Sequence, residues 1–510
     1  MKIKSRLSSL SINLDSLVAA ATGFIIIQIF SKHSGIGVSP DSVTYISAAR
    51  HLLHGDGFRA FDNLPVVDFP AGYPFFIATI SFFTRMDVLQ YGAILNGMLF
   101  GFLIYLCGST MNGFYHTSKL YKRIMLACIV LSPALLEVYS MLWSETIFLL
   151  LLLLFTIAIK KYLERPGMKW LIISAVLVSL ACVTRYAAIV LAGIGLFLIF
   201  FEGKLSWGKR IQHCICFGMI SILLLAVNLI RNEMVMHFAT GERQKSTSSL
   251  LQNMEYFGGV LSDWLLIPRK PFLSVVLTVV VLLIFLISML WCYFRRKAQR
   301  RYEYIAAATG FFYCLFMLVS ATLSRYEQFT SRLLSPMFIP MIWCAGFWVP
   351  SFVAQKKKAI ESIFITISLG VAAALLAVQW SAAYETWDGV KDAGIPGYSE
   401  DPFPQLEIVQ FIENYKGKFK PGYPIYSNAG DAVYLFTGLP ARLLPQDVFP
   451  KEIQKYYQEK NNYLVWFDDV ENPDLLDEKS VIRNKNMILI KRFADGAVYI
   501  TPDSATLPPH

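Results

Sequence analysis

The stretch MLWSETIFLLLLLLFTIAIKKYLERPGMKWLIISAVLVSLACVTRYAAIVLAGIGLFLIF, residues 141–200, decides what kind of molecule this is. Between Ser144 and Lys161 the only charges are Glu145 at the start and Lys160 and Lys161 at the end. Arg165 and Lys169 follow, and two further apolar runs, 168–184 and 186–202, meet at Arg185. Crossing a bilayer core of about 30 Å takes about 20 apolar residues. Lipid offers no partner for backbone N–H and C=O groups, so such runs must be helical.

The same pattern extends in both directions. Apolar candidates lie at 13–30, 88–110, 122–140, 144–161, 168–184, 186–202, 212–230, 273–294, 303–323, 333–353 and 359–380, about eleven crossings. The piece GYPFFIATISFF, 72–83, is too short to span and reads as a helix that dips into or lies along the outer interface. Composition agrees: of 510 residues 55% are hydrophobic and only 16% charged, with mean hydropathy +0.49. A soluble domain carries about a quarter charged residues. The net charge of +10 sits in short clusters between apolar runs, which is not the stripe that would read nucleic acid. MKIKSRL leads into the first apolar run without a small-residue cleavage site, which favours a first span over a removed signal peptide. All eight cysteines lie in or at the edges of apolar runs, so no structural disulfide on the outer face is expected.

Lys and Arg collect in every second loop: Lys2, Lys4 and Arg6; Lys119, Lys122 and Arg123; Lys160 to Lys169; Lys204, Lys209 and Arg210; Arg295 to Arg301; and Lys356, Lys357 and Lys358. The basic side is cytoplasmic by the positive-inside rule, which puts the N-terminus inside and the C-terminal segment outside. The long loops 31–71 and 231–272 then face outward, where function is expected. The chain divides into a transmembrane domain, 1–383, and a soluble extracytoplasmic α/β domain, 384–510. In the latter a helical pattern at 404–415 precedes the extended run PIYSNAG. YLVWFDDV follows at 463–470, and MILIKRF and AVYIT are joined by the turn Ala494-Asp495-Gly496.

Charged residues on the outer side are the candidates for chemistry. Ser39-Pro40-Asp41-Ser42 starts a short amphipathic helix that carries Tyr45, and Asp41 fits either a plain helix start or a base. Glu145 opens a wholly apolar helix, where the dipole favours it, but it is expensive there unless used or paired. Both carboxylates fall on the same side and suit proton abstraction or the holding of a divalent cation, Mg or Mn. Arg185, Arg231, Arg243, Arg325 and Arg332 share that face against the usual charge bias, and together suit a phosphate. His51 and His54 lack a third ligand, and no P-loop, nucleophile elbow or dinucleotide fingerprint occurs.

DSVTYISAARHLLHGDGF, FPAGYPFFIA, SETIF, TRYAA, RNEM with TGERQKSTS, and SRLLSP occur in that order and span most of residues 1–350. This series resembles the GT-C superfamily of polyprenyl-phosphate-sugar glycosyltransferases, which includes protein O-mannosyltransferases and aminoarabinose transferases. The resemblance implies a GT-C-like helical bundle and an inverting transfer of a sugar from a polyprenyl-phosphate donor to a glycan, lipid or protein acceptor at the extracytoplasmic face. It casts Asp41 as catalytic base and Glu145 as the second-loop acid, with the arginines, Tyr45 and Tyr73 on the substrate and its phosphate. A lone Asp41 stands where some members carry paired acids, which leaves metal dependence open. Phe69-Pro70-Ala71-Gly72-Tyr73 departs from the basic residue before paired prolines in aminoarabinose-type enzymes, which argues against their substrate. The resemblance implies a multi-pass protein of a bacterial inner membrane. Two other classes fit the same charges: a transporter or flippase of lipid-linked sugars, and a non-catalytic assembly factor of envelope glycan synthesis.

Overall fold

The computed structural model describes residues 13–112, 119–202, 204–241, 244–295, 301–325, 327–353 and 358–502. The basic residues Lys2, Lys4, Arg6, Arg296, Lys297, Arg300, Lys356 and Lys357, and Arg243 with them, lie outside the described residues. In chain order the first helices are α1 (Leu14–Phe30), α2 (Pro40–His54), α3 (Gly72–Thr84) and α4 (Val88–Met111). Next come α5 (Lys119–Val130), α6 (Pro133–Ser140), α7 (Glu145–Glu164), α8 (Met168–Thr184) and α9 (Ile189–Phe200). The series continues with α10 (Trp207–Met236), α11 (Leu250–Trp264), α12 (Pro271–Phe294), α13 (Tyr302–Leu323), α14 (Ser331–Val353) and α15 (Lys358–Ala393).

The apolar runs read from the sequence are helical. Among the described residues six helices have the length and apolar composition for a span, and the pair α5 and α6, bent by 44°, makes a seventh. Of the other four expected runs, α1 and α8 have 17 residues each, about 26 Å at 1.5 Å per residue, α9 is shorter, and α14 has 23. The bend between α5 and α6 falls at Pro133, which has no N–H to continue the ladder of α5. Ser132 caps the second half, its Oγ accepting from the Leu135 N–H at 3.4 Å. The piece at 72–83 lies in α3, Gly72–Thr84, a helix of 13 residues.

By compactness the chain forms two units, one of Met1–Lys32, Val67–Tyr73 and Leu89–Asp392, the other of His33–Val66, Pro74–Val88 and Ala393–His510. In the first, α8 packs along both α7 and α10, and α12, α13 and α14 follow one another side by side. Small residues permit the closest approaches: a Cβ on Gly258 of α11 would lie 1.8 Å from the Ser274 carbonyl of α12. The apolar faces of α12 and α15 stay exposed at Phe272, Val279, Ile363 and Val371, as lipid-facing helices require.

The second unit is built on a five-stranded mixed sheet of β1 (Ile425–Ser427), β2 (Ala441–Leu443), β3 (Tyr463–Phe467), β4 (Ile488–Arg492) and β5 (Gly496–Ile500). The order is β2-β1-β3-β5-β4, with β1 parallel to β2 and β3, and the other pairs antiparallel. The expected extended runs are β1, β3 and the hairpin β4–β5, closed where Phe493 N–H donates to the Gly496 carbonyl at 2.8 Å. β2 and the helices Gly430–Thr437, Pro450–Gln458 and Glu478–Lys485 were not expected from the pattern.

The loop 33–66 joins this sheet unit through backbone and side-chain bonds. Tyr398 N–H donates to the Val38 carbonyl at 2.9 Å, Ser399 Oγ to the Ile36 carbonyl at 2.9 Å, and His33 faces Asp401 at 2.7 Å. Within the loop, α2 starts at a capping box: Ser39 and Ser42 each bond the other's backbone N–H, with Pro40 at the first helical position. It stops at Gly55, whose φ of 84° is the left-handed conformation that glycine adopts without strain.

Candidate functional site

Three of the sequence candidates come together at one end of the helical unit. Glu145 sits at the first position of α7 and is 1% exposed. Arg185 Nη1 lies 2.5 Å from Glu145 Oε1, and Arg332 Nε bonds the same oxygen. The second oxygen, Oε2, accepts from Ser144 Oγ at 3.4 Å, and Ser144 Oγ in turn accepts from Arg185 Nη1 at 3.1 Å. The Arg332 guanidinium lies over the Trp143 ring, 4.3 Å from its centre. A buried carboxylate is tolerable only when its charge is compensated, and here two guanidiniums and the amino end of α7 do so.

Each side chain is delivered by a local break in a helix. Arg185 has extended backbone, φ −148° and ψ 132°, between α8 and the short 3-10 turn Tyr186–Ala188. Arg332 is in the first turn of α14. The break before Glu145 is braced by Asn96, which donates to the carbonyls of Tyr139 at 3.0 Å and Met141 at 2.8 Å. Tyr139 donates its hydroxyl to the Thr146 carbonyl at 3.0 Å. Glu137 on α6 is within electrostatic range of both Arg332 and Glu145. It was missed in the sequence, where the only signal is one acid in PALLEVYS.

The other candidates are placed differently. Arg231 Nη1 donates to Asn232 Oδ1 at 3.0 Å. Asn232 belongs to a network around Tyr186, which donates to the Val67 carbonyl at 2.9 Å and accepts from Asn228 and Asn232 at 3.2 and 3.0 Å. Asn228 also accepts from Ala71 N–H at 3.2 Å, so the network holds the segment 67–71. Arg325 Nη1 donates to Gln244 Oε1 at 2.7 Å. Arg243 lies outside the described residues. Tyr73 is almost fully buried.

Asp41 and Tyr45 belong to the other unit. Asp41 is half-buried in the first turn of α2, but the cap itself is Ser39. Tyr45 is buried on the same helix. Asp431, buried at the start of Gly430–Thr437, accepts from the Tyr398 hydroxyl at 2.6 Å. Burial, with the negative charge of Asp41 adding to it, holds the Asp431 carboxyl above the ordinary range.

The proposed use of Glu145 as a metal ligand does not fit its surroundings, because its carboxylate is already taken up by two guanidiniums and a hydroxyl. Among the described residues no group of three His, Cys, Asp or Glu side chains could hold a metal ion.

No protein-family model matches the sequence, and no curated protein matches it. Solved structures do match in fold. ArnT from Cupriavidus metallidurans bound to undecaprenyl phosphate is 12% identical, covers 97% of this chain and 99% of its own, and superposes with a TM-score of 0.59. The same protein in the apo state is 13% identical over 97% and 98%, with a TM-score of 0.58. The archaeal oligosaccharyltransferase AglB from Archaeoglobus fulgidus, in complex with an inhibitory peptide and a dolichol-phosphate, is 9% identical over 90% and 69%, with a TM-score of 0.55. These are GT-C proteins with a helical membrane bundle and a C-terminal domain. Over nearly its whole length, the chain has the GT-C fold.

Proposed function

We propose that this chain is a membrane glycosyltransferase that moves a sugar from a polyprenyl-phosphate-linked donor to an acceptor at the extracytoplasmic face. The observation that carries the reading is the buried Glu145 holding Arg185 and Arg332 together. Each arginine side chain keeps part of its surface accessible, 18% and 10%. Guanidiniums match a phosphate bidentately, and two of them fixed side by side by one buried carboxylate suit a phosphate. The ArnT and AglB structures that share the fold hold undecaprenyl phosphate and dolichol-phosphate, which are ligands of this chemistry.

In the proposed reaction an acceptor hydroxyl attacks the anomeric carbon and its proton passes to Asp41. The bond from that carbon to the phosphate oxygen breaks, and the lipid monophosphate leaves with the electron pair. A single displacement inverts the anomeric centre. Arg185 and Arg332 stabilise the charge that grows on the leaving phosphate. Arg231 and Arg325 are further candidates for the donor's charge, and Tyr45 and Tyr73 for contacts to the substrate.

The test uses the full chain in liposomes with a polyprenyl-phosphate sugar and an envelope extract as acceptor. Asp41→Asn should abolish transfer at normal expression, and Arg332→Ala should raise the donor KM at least tenfold, as loss of a charge-assisted bond predicts. Unaltered transfer by Asp41→Asn would overturn its role as base. Movement of the lipid-linked sugar across liposomes without acceptor would favour a transporter.

A further inference from the structure

A second polar site lies at the amino end of α12. There α11, the turn 265–270 and the segment 327–330 form a cleft of about 130 Å³ lined by Glu255, Tyr256, Arg269, Lys270, Ser274 and Gln328. It opens at the same end of the bundle as the Glu145 cluster, because Phe329 in its wall stands three residues before Arg332, and Trp264 Nε1 donates to Ser331 Oγ at 3.0 Å. α12 has the length and composition of a span, and Phe272 beside the cleft is 83% exposed, so the opening sits at the edge of the apolar belt.

The charges in the cleft are of both signs. Arg269 is spent in a paired contact with Asp263, Nε to Oδ1 at 2.7 Å. That leaves the Lys270 ammonium and the Glu255 carboxylate, neither of which has an ion pair among the described residues. Ser274, in the first turn of α12, lines the cleft and is only 2% exposed. Lys270, the Ser274 hydroxyl and the amino end of a 24-residue helix present donors to an anion. Glu255 presents an acceptor to a cation.

We infer that this cleft binds a zwitterionic headgroup in which a phosphate ester lies beside a primary amine, carried by a membrane lipid. The phosphate sits on Lys270 and Ser274, the amine on Glu255, and the acyl chains leave past Phe272. The opposite charges favour this over a purely anionic lipid, which would face Glu255 unpaired. The proposal does not depend on the transferase reading.

Native mass spectrometry of the full chain, exchanged into micelles with equal phosphatidylethanolamine and phosphatidylglycerol, tests it. Phosphatidylethanolamine should be retained preferentially. Lys270→Ala should weaken retention about tenfold, the effect of one charge-assisted bond. Glu255→Gln should keep lipid bound but erase the preference for the amine. Competition by soluble phosphoethanolamine at matched concentration would support the headgroup chemistry with a free source, and its failure would support the lipid source. No preference in the parent protein, or retention unchanged by both variants, overturns the inference. Both side chains are at least partly accessible, so neither variant threatens the fold.

Discussion

Replacing Glu145 by glutamine tests the site at its centre. The side chain keeps its volume and one acceptor oxygen but loses the charge that faces Arg185 and Arg332. Removing one partner of a buried ion pair costs about 3–5 kcal/mol. Three features place this substitution at the lower end. Both arginines retain some solvent contact, glutamine still accepts one bond, and Glu137 is electrostatically close to Arg332. The expected loss is about 3 kcal/mol. Thermal unfolding of the full chain in detergent, followed by tryptophan fluorescence, should then show a midpoint lower by about 3 °C. The double variant Glu145→Gln with Arg332→Gln should be no less stable than Glu145→Gln alone, because it removes one of the two stranded charges. Coupling between the two positions should exceed about 1 kcal/mol. A midpoint within 1 °C of the parent, together with additive effects, would refute a buried, mutually compensated cluster.

Asp431→Asn should flatten part of the pH dependence of stability. The folded-state pKa of Asp431 is raised, so its contribution is present at acid pH and is lost as pH rises through that value. Parent and variant midpoints measured from pH 3 to pH 7 should diverge, the variant gaining toward neutrality. Lys485, pulled down to about 8 by burial against the opposing pull of Glu459, has the opposite sense. The unfolded chain holds its proton more tightly, so stability rises between about pH 8 and 10.5, and Lys485→Met should lack that rise in the same scan. Gly258→Ala should lower stability by about 3 kcal/mol, and the midpoint with it, because the new methyl meets the Ser274 backbone and α11 must move away from α12. An unchanged midpoint would refute the close approach.

The apolar runs were legible because hydropathy is local: each residue votes by itself, and eighteen or more votes in a row leave little doubt. The broken span at Pro133 and the short α8 and α9 were not, since helix length depends on where the backbone turns at Arg185. Glu145, Arg185 and Arg332 were each singled out by charge at an apolar border. Their union was invisible, because Arg332 lies 187 positions from Glu145 and no periodicity encodes such a contact. What changed most is the reading of the arginines, two of which are ion-paired to Glu145. β2 escaped because three residues, Ala441–Leu443, carry no alternation to read. The partnership of loop 33–66 with the tail escaped for the same reason as the Glu145 cluster.

That partnership has a consequence for biogenesis. Ser399 meets Ile36 across 363 positions, so the early loop exists for most of synthesis without the strands and turns it will pack against. At about 5–20 residues per second the wait is about 20 to 70 s. During it α2 has its capping box and its glycine stop, both of them local, but nothing to bury Tyr45 and Ile46 against within its own segment. A ribosome that stalls in the tail therefore leaves a membrane bundle with a loose early loop, a natural target for membrane quality control.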